Sequence, residues 1–361
     1  MATIYDVAKA AGVSPKTVSR VLNGDAPVND KTREAVDAAI AELNFVPSSA
    51  ARSMRSQKTG LVGMITGAIS ESPAPDEAVG LPEIYLVQGA QRVLAQNNLT
   101  LLISDTGGSP ERIPNLVQTF MEHRVEGLIY VAGYHREVQL PRRLRGTPVV
   151  LTNCYDLEDT PAIVPDDVGG QCALVTGLIA RGHNRIGFLT IPERQEARSL
   201  RLAGYRKALE RADVTYDPDL VITGALFDLV HEFDFLWDAL DRLLSLPNPP
   251  TAICCGNDKM ALRLYALLRE RELKIPEDIS VVGYDDYRII TEHVQPPLTS
   301  AALPYEAMGA RAAEKLLRLI NGTTKPNEIS KELVSGPVAW RQSVMVRDPV
   351  VASINQRRRE T

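Results

Sequence analysis

Apolar residues recur at helical spacing in three short stretches near the start of the chain. In the first stretch Val7, Ala8 and Ala11 fall on one face, and Gly12 suits the end of that helix because glycine accepts a left-handed backbone. The second helix is expected to bury Val18, Val21 and Leu22. The third helix, residues 30–43, is expected to bury Ala35, Val36, Ala39, Ile40 and Leu43. Two short helices around a glycine turn indicate a helix-turn-helix, whose second helix enters the DNA major groove.

The outer face of the second helix carries cations and hydroxyl groups. Arg20 is the best candidate for a bidentate contact with guanine, Lys16 is expected to carry variable sequence preference, and Pro15 offers only apolar contact. The remaining candidates include side chains for phosphate contacts, which position a domain without reading sequence. They are Tyr5, Ser14, Thr17, Ser19, Asn23, Asn29 and Thr32. Paired amphipathic helices also occur in ordinary helical bundles, which is the alternative interpretation. The third helix favours DNA binding, because it completes a compact three-helix domain.

From Gly60 onward the pattern changes to short apolar runs that alternate with amphipathic helices. Strands are predicted at 61–65, 99–104, 127–131, 149–151, 186–189, 220–222, 252–255 and 279–282, and helices at 84–96, 112–122, 168–181, 199–211, 227–246, 259–271 and 306–319. Such alternation predicts an α/β fold with two doubly wound lobes. We expect a helix-turn-helix domain over 1–46, a hinge helix or linker over 47–59, a two-lobed domain over 60–345 and a tail over 346–361 that lacks heptads.

Charge and composition narrow the function further. The 361 residues carry a net charge of −5, but residues 1–60 hold eight cationic against six acidic side chains, so the basic excess is local. The four cysteines form no C-x-x-C pair and no Cys/His cluster, which predicts no zinc site, and the five scattered histidines are interpreted as ordinary surface residues. We find no export signal and no apolar run of membrane-spanning length, which predicts a cytoplasmic protein without a membrane partner.

Several polar residues follow predicted strands, where ligands bind in open α/β sheets. Asn153, Asn257 and Asp285 come directly after strand residues, and Arg201 lies near the start of a helix that follows another strand. Amide, carboxylate and guanidinium groups that converge on one cleft suit a ligand with many hydroxyls, since each hydroxyl donates and accepts. Each residue alone also has a plainer interpretation as a helix cap, and Asp258 in particular is expected to cap the helix at 259–271.

Two stretches, TIYDVAKAAGVSPKTVSRVLNG and VNDKTREAVDAAIAELNFVPSSAARSM, closely resemble the lac repressor family of bacterial transcription regulators. RLAGY, GNDKMAL and VVGYDD match motifs in the effector domain of that family. The resemblance implies two lobes like those of periplasmic binding proteins, with an effector between them. The positions that it assigns to the effector are Arg201, Asn257, Asp285, Asn153 and Tyr305. Where some sugar-binding members carry a stacking aromatic ring, this chain has the sequence GALF, so stacking falls to Phe227 or to Tyr85, or is absent.

The resemblance also implies a hinge helix that folds on DNA, pairs with its copy in a homodimer and inserts an apolar side chain into the minor groove. Ala51 and Met54 give this segment its small apolar face, and the motif AARSM places the wedge at Met54. A near-palindromic operator is expected, read by two recognition helices. We predict a repressor of carbohydrate genes, controlled by a sugar or polyol, with no cofactor and no catalytic residue. The alternative is a sugar-binding protein or a sugar-acting enzyme built on the same lobes.

Overall fold

A computed structural model shows two compact units, residues 1–60 and residues 61–361. It describes residues 2–24, 27–46, 58–67, 84–107, 109–144, 146–193, 195–224, 232–324 and 331–347. Ala51 and Met54, the residues predicted at the minor groove, lie outside the described residues, as does Phe227, a predicted stacking residue. The side chain of Asn23 is likewise outside them.

The first unit contains the three predicted helices. They are α1 (Ile4–Ala10), α2 (Pro15–Asn23) and α3 (Asp30–Glu42). Ser14 accepts a hydrogen bond from the backbone N–H of Thr17 at the start of α2, and Gly12 and Gly24 take the left-handed conformation with φ near 67°. The apolar side chains that these helices bury are Val7, Ala8, Val18, Val36 and Ala39. The helix-turn-helix is therefore confirmed, although Ala35, predicted in its core, is exposed because it lies outside the face of α3 that packs.

The second unit consists of two lobes, each built on a six-stranded sheet. The first sheet has the order β11-β5-β4-β3-β1-β2 and the second β12-β10-β9-β8-β6-β7, and all pairings are parallel except that of β12 with β10. The strands are β1 (Leu61–Thr66), β2 (Thr100–Asp105), β3 (Gly127–Glu137), β4 (Val149–Tyr155), β5 (Ala162–Pro165), β6 (Ile186–Thr190), β7 (Val221–Thr223), β8 (Ala252–Cys255), β9 (Ser280–Asp285), β10 (Thr299–Ala302), β11 (Lys331–Val334) and β12 (Val338–Ala339). The predicted doubly wound α/β class is confirmed.

Helices cover both faces of each sheet. They are α4 (Ile84–Gln96), α5 (Ile113–Glu122), α6 (Asp167–Ile179), α7 (Glu196–Arg211), α8 (Glu232–Leu244), α9 (Asp258–Glu270), α10 (Arg288–Thr291) and α11 (Tyr305–Ile320). In the first lobe α4 and α11 cross at a pair of glycines, where a Cβ on Gly89 would lie 2.0 Å from the Glu306 carbonyl oxygen and one on Gly309 would lie 2.0 Å from that of Leu86. The side chains of both helices can therefore interlock in one core.

The chain passes between the lobes three times, after β5, after β10 and after β11. Helix α11 thus packs in the first lobe, although the strands before it belong to the second. Strands β3 and β4 extend several residues beyond their predicted ends, to Glu137 and Tyr155. Their added segments reach the second lobe, because α7 contacts β3 and the Tyr155 hydroxyl bonds to α7. The polar ends of strands from both lobes consequently meet in one region.

Candidate functional site

The side chain of Arg201, in the first turns of α7, is the centre of a buried polar cluster. Its Nε donates to Asp167 Oδ1 at 2.8 Å, and its Nη1 donates to the carbonyl of Gly256, just beyond β8. The guanidinium lies 3.7 Å from the ring centre of Tyr284, which adds a cation–π contact. Only 5% of Arg201 is exposed. Because a buried charge needs partners, this arginine fixes the positions of three elements of the second lobe around it.

Asp285 lies beside this cluster at the end of β9. Its Oδ1 is 3.9 Å from Arg201 Nη2, which is an ion pair too long for a direct hydrogen bond. A hydroxyl group placed between them would accept from the guanidinium and donate to the carboxylate. The side chain of Asp285 keeps 22% of its surface exposed, against 6% for Arg201, so the carboxylate is the member of the pair that faces solvent.

The backbone and the pKa of Asp285 are both unusual. Its φ is 116°, in the region that favours glycine, and φ of Asp286 is 50°. Such conformations cost of order 1–3 kcal/mol in side-chain-bearing residues and occur preferentially at functional sites. Burial raises the pKa of Asp285 to about 7, against the lowering effect of the Arg201 guanidinium. Asp285 therefore changes its charge near neutral pH.

The residues after β8 contribute differently from the prediction. Asn257, and not Asp258, is the N-cap of α9, since its Oδ1 accepts from the backbone N–H of Met260 at 2.8 Å. Asp258 is the first helical residue and accepts instead from the Ser300 hydroxyl and the Tyr287 backbone N–H, each at 2.7 Å. The predicted cap at Asp258 is wrong, because these two donors already hold its carboxylate. Burial, followed by the neighbouring Asp285, raises the pKa of Asp258 well above its usual range.

Two site residues were not predicted. Asp167, at the first position of α6, binds Arg201 through one oxygen and His135 Nδ1 through the other, at 3.3 Å. Burial would raise the pKa of Asp167, but the Arg201 charge and the bonds from His135 and Arg201 hold it below its usual value. His135 is 4% exposed, which contradicts its interpretation as a surface residue, as does the complete burial of His183. Two features of the sequence could have indicated them: Asp167 follows a strand, and His135 lies within a long strand.

The first lobe holds Asn153 in an unusual conformation. Asn153 has φ of 58°, lies within β4, and donates from Nδ2 to the Ala132 carbonyl at 3.1 Å. The pairing of β3 with β4 shifts register between Val131 and Arg136, opposite this asparagine. The Asn153 side chain thereby stabilises an irregular segment of β3, and that segment delivers His135 to Asp167. Its contribution to the site is positional.

The two aromatic candidates of the first lobe that the structure describes pack in its core. Tyr305, at the start of α11, is 8% exposed, and Tyr85 is partly buried in the same cluster. The structure thus brings together Arg201, Asp285, Asp258 and Gly256 in one polar cluster, and places Asn257 at the adjoining helix start. The two tyrosines belong instead to the apolar core of the first lobe.

The first unit presents a separate polar face. On α2, Lys16 and Arg20 are exposed and lie one helical turn apart, while Val18 between them is buried. Tyr5 is 71% exposed, and Asn29 caps α3 by accepting from the Lys31 backbone N–H. The remaining candidates that the structure describes, Ser14, Pro15, Thr17, Ser19 and Thr32, are exposed or partly so. Cations and helix starts on one small domain suit contacts with phosphates and base edges.

Comparisons with known proteins decide the family. Residues 3–48 match the family described as "Bacterial regulatory proteins, lacI family", and residues 175–344 match the "Periplasmic binding protein-like domain". The "Ribose operon repressor" of Escherichia coli K12 is 34% identical over 328 residues, which cover 90% of this chain and 94% of the relative. The chain belongs to the lacI family of bacterial regulatory proteins.

Solved structures agree with this assignment. The lac repressor dimer bound to operator and the anti-inducer ONPF has 28% identity and a TM-score of 0.77, over 95% of this chain and 99% of the other. The complex of the transcriptional regulator CelR with cellobiose has 31% identity and a TM-score of 0.65, over 95% and 100%. This lacI-family chain is therefore a DNA-binding regulator with a ligand-binding domain, as predicted.

In this lacI-family chain two polar contacts join the lobes beside the Arg201 cluster. One is the bond between His135, on β3, and Asp167, on α6. The other runs from the Tyr155 hydroxyl, on β4, to Glu196 Oε2, on α7, at 2.6 Å, and this bond raises the pKa of Tyr155 to about 12. Both contacts therefore link the angle between the lobes to the surroundings of the Arg201 cluster.

Neither a metal site nor a membrane segment is found in the described ranges. Those residues contain no cluster of three His, Cys, Asp or Glu side chains suited to a metal. No helix in them has the length and apolar character needed to cross a bilayer. All four cysteines are buried free thiols, and burial raises the pKa of Cys154 and Cys254 to about 12, so these two are poor nucleophiles.

Proposed function

We propose that this protein represses carbohydrate genes in the cytoplasm and is controlled by a sugar or polyol bound between its two lobes. The observation that carries this proposal is the spacing of Arg201 Nη2 and Asp285 Oδ1, 3.9 Å apart at the end of β9. A donor group and an acceptor group at that spacing match a hydroxyl, which uses both capacities at once. The partly exposed carboxylate of Asp285 accepts from the ligand.

Asn257 extends the same recognition. Its Oδ1 caps α9, and its amide nitrogen, which has no hydrogen-bond partner in the part of the chain that the structure describes, donates to a second hydroxyl. A ligand with several hydroxyls would satisfy these donors and acceptors more completely than a purine ring, because each hydroxyl both donates and accepts. The ribose repressor and the cellobiose complex among its relatives are consistent with a carbohydrate ligand.

The effector acts on DNA binding through the angle between the lobes. It binds at Arg201, which holds Asp167, and Asp167 binds His135 of the other lobe. A ligand that draws Arg201 toward itself alters the contact between the lobes. Coupling between two such sites amounts to about 1–3 kcal/mol in typical allosteric proteins.

The DNA is read by α2 of two subunits. We propose that Arg20 contacts guanine and that Lys16 sets much of the remaining preference, while Ser14, Thr17 and Asn29 lie at helix starts that face phosphates. The homodimer and a near-palindromic operator follow from the relative whose dimer is bound to operator. An enzyme on the same lobes is not proposed, because the relatives are regulators and two of the three carboxylates of the cluster, Asp167 and Asp258, are engaged in structural bonds.

Two variants test the proposal by separating its two activities. Arg20→Ala should reduce the preference for the operator over unrelated DNA by about 1–3 kcal/mol while leaving effector affinity unchanged. Arg201→Lys keeps a cation beside the buried Asp167 but loses the guanidinium fork, so it should lose the effector response and keep operator binding. Both are measured by fluorescence anisotropy of labelled operator and by calorimetry with the effector. Loss of both activities in Arg20→Ala, or an intact response in Arg201→Lys, would contradict the proposed division.

A further inference from the structure

A groove on the outside of the second lobe carries basic residues without acidic ones. It runs along α6, has a volume of about 570 Å³, and lies between α7 and the strand-end residue Trp340. Lys207 and Arg211 of α7 form one wall, and Arg181, just beyond α6, lies at one end. None of its described lining residues is acidic, although residues 61–361 together sum to a net charge of −7. We call this feature the basic groove.

Two of its cations are held in place. The Arg181 guanidinium lies 3.5 Å from the ring centre of Trp340, and its Nη1 donates to the Gly177 carbonyl at 2.9 Å. Arg211 Nη1 points to Cys172 Sγ at 3.8 Å, across the groove. Neither makes an ion pair with a carboxylate in the described ranges of the chain. Ordered cations without counter-charges favour an anionic partner, since little side-chain freedom remains to be lost on binding.

The contacts that hold these two cations are spread along α6. Their contacts on α6, Cys172 and Gly177, are five residues apart, which is roughly 7–8 Å along a helix axis. Two carboxylates about one or two turns apart on a helix, roughly 6–11 Å, match that spacing.

The floor of the groove leaves room for the close approach of a second helix. Its floor contains Ala173, Thr176 and Ala180, which are small and exposed. Small side chains let a second helix approach closely, and the ring of Trp340, which packs on Gly177, supplies an aromatic contact of the kind common at protein interfaces.

We propose that the basic groove binds an acidic helical segment of a protein partner. Carboxylates on one face of that segment pair with Arg181, Lys207 and Arg211, and its backbone lies over Ala173 and Thr176. The site is independent of the effector cluster at Arg201, so it stands or falls separately from the proposed function.

The test uses the full chain with Trp237→Phe, which leaves Trp340 as the remaining tryptophan of the two in the sequence. The probe is a helical peptide of about 20 residues, long enough to fold in water, with glutamates at i, i+4 and i+7 on one face. Two control peptides carry glutamine at those positions, or the same glutamates spread around the helix. Binding is read from Trp340 emission at low and at physiological salt.

We expect the peptide with glutamates on one face to shift the emission of Trp340. The two control peptides should bind at least about tenfold more weakly, because they lack the matching arrangement of charges. Lys207→Gln with Arg211→Gln should weaken binding by roughly tenfold or more, while Arg206→Gln should change it less than about twofold. Arg206 is the matched control, because it is an exposed cation of α7 that stacks on Tyr216 outside the groove.

Four results would overturn the proposal. The first is no emission change with any peptide, and the second is equal binding of the two glutamate arrangements. The third is a response to pyrophosphate or to non-operator DNA without one to the peptide, which would indicate a small anion or a nucleic acid. The fourth is self-association in sedimentation that Lys207→Gln with Arg211→Gln abolishes, which would show that a second copy of this chain occupies the groove.

Discussion

Replacing Asp285 with asparagine separates its charge from its shape. The amide keeps one acceptor oxygen but loses the charge 3.9 Å from Arg201 Nη2. A hydrogen bond to a charged group contributes about 1.5–3 kcal/mol and one between neutral groups about 1. Because only 22% of the Asp285 side chain is exposed, we take the upper part of that difference. Effector affinity should therefore fall by about 1–2 kcal/mol in Asp285→Asn, which is roughly 5–30-fold.

The same carboxyl group predicts a pH dependence. Burial raises the pKa of Asp285 to about 7, so at pH 6 the acceptor form is the minor one. Effector affinity of the wild type should rise between pH 6 and pH 8, by up to tenfold per unit below pH 7, and that of Asp285→Asn should be flat. The stability effect has the opposite sign. Because the folded pKa exceeds the ordinary value of 3.8, this group's stabilisation is present below pH 4 and is lost as the pH rises through 7.

Calorimetry of effector binding at pH 6, 7 and 8 measures both effects without DNA. Asp286→Asn is the matched control, since Asp286 pairs with Arg341 at 2.7 Å and accepts from Thr291, both within the second lobe. Its effector affinity should stay within about twofold of the wild type, because its carboxylate is already held by those partners. Equal affinities for wild type and Asp285→Asn, or a wild-type affinity independent of pH, would refute the assignment of Asp285 to the effector.

Three further perturbations test other parts of the molecule. Arg20→Ala should cost about 1–3 kcal/mol of operator discrimination in anisotropy titrations at fixed salt, and an unchanged ratio of operator to random DNA would remove Arg20 from base recognition. Burial lowers the pKa of His183, whose ring bonds to Thr251 and the Met345 carbonyl, so the wild-type melting temperature should fall as the pH drops below about 6.5, and less so in His183→Gln. Tyr155→Phe removes the hydrogen bond to Glu196. It should lower the free energy of unfolding by about 1 kcal/mol and shift the effector concentration at half response by at least about threefold. No change in either quantity would show that this contact does not influence the lobes.

Much of the fold could be predicted because local signals agree with the final structure. Gly12, Ser14 and Pro15 specify the end of α1 and the start of α2 by backbone preference alone, and the structure shows those roles. The alternation of strands with helices also indicates parallel sheets, because each helix carries the chain back to the start of the next strand. Some short elements escaped prediction. β5, β10 and α10 have four residues each and were not predicted, whereas β8, of the same length, was predicted from its apolar run.

The cluster was only partly predictable, because its members are far apart in sequence. Arg201 and Asp285 could be proposed from their places after strands, and the structure brings them to 3.9 Å. Asp167 and His135 are 32 residues apart, and their contact depends on the irregular segment of β3 opposite Asn153. A register shift of that kind leaves no periodic signal. The exchange of roles between Asn257 and Asp258 depends in turn on Ser300, 42 residues away from Asp258.

Binding of the full-length protein to DNA fragments from its own gene neighbourhood, with and without a panel of sugars and polyols, tests the central claim most directly. Salt must be constant, since phosphate contacts make DNA affinity strongly salt-dependent. We predict that a near-palindromic fragment binds as a dimer complex and that one carbohydrate changes its affinity by roughly 5–150-fold, the range of typical allosteric coupling. Binding to no fragment under any condition, or operator binding that no carbohydrate alters while another class of metabolite does, would contradict the account.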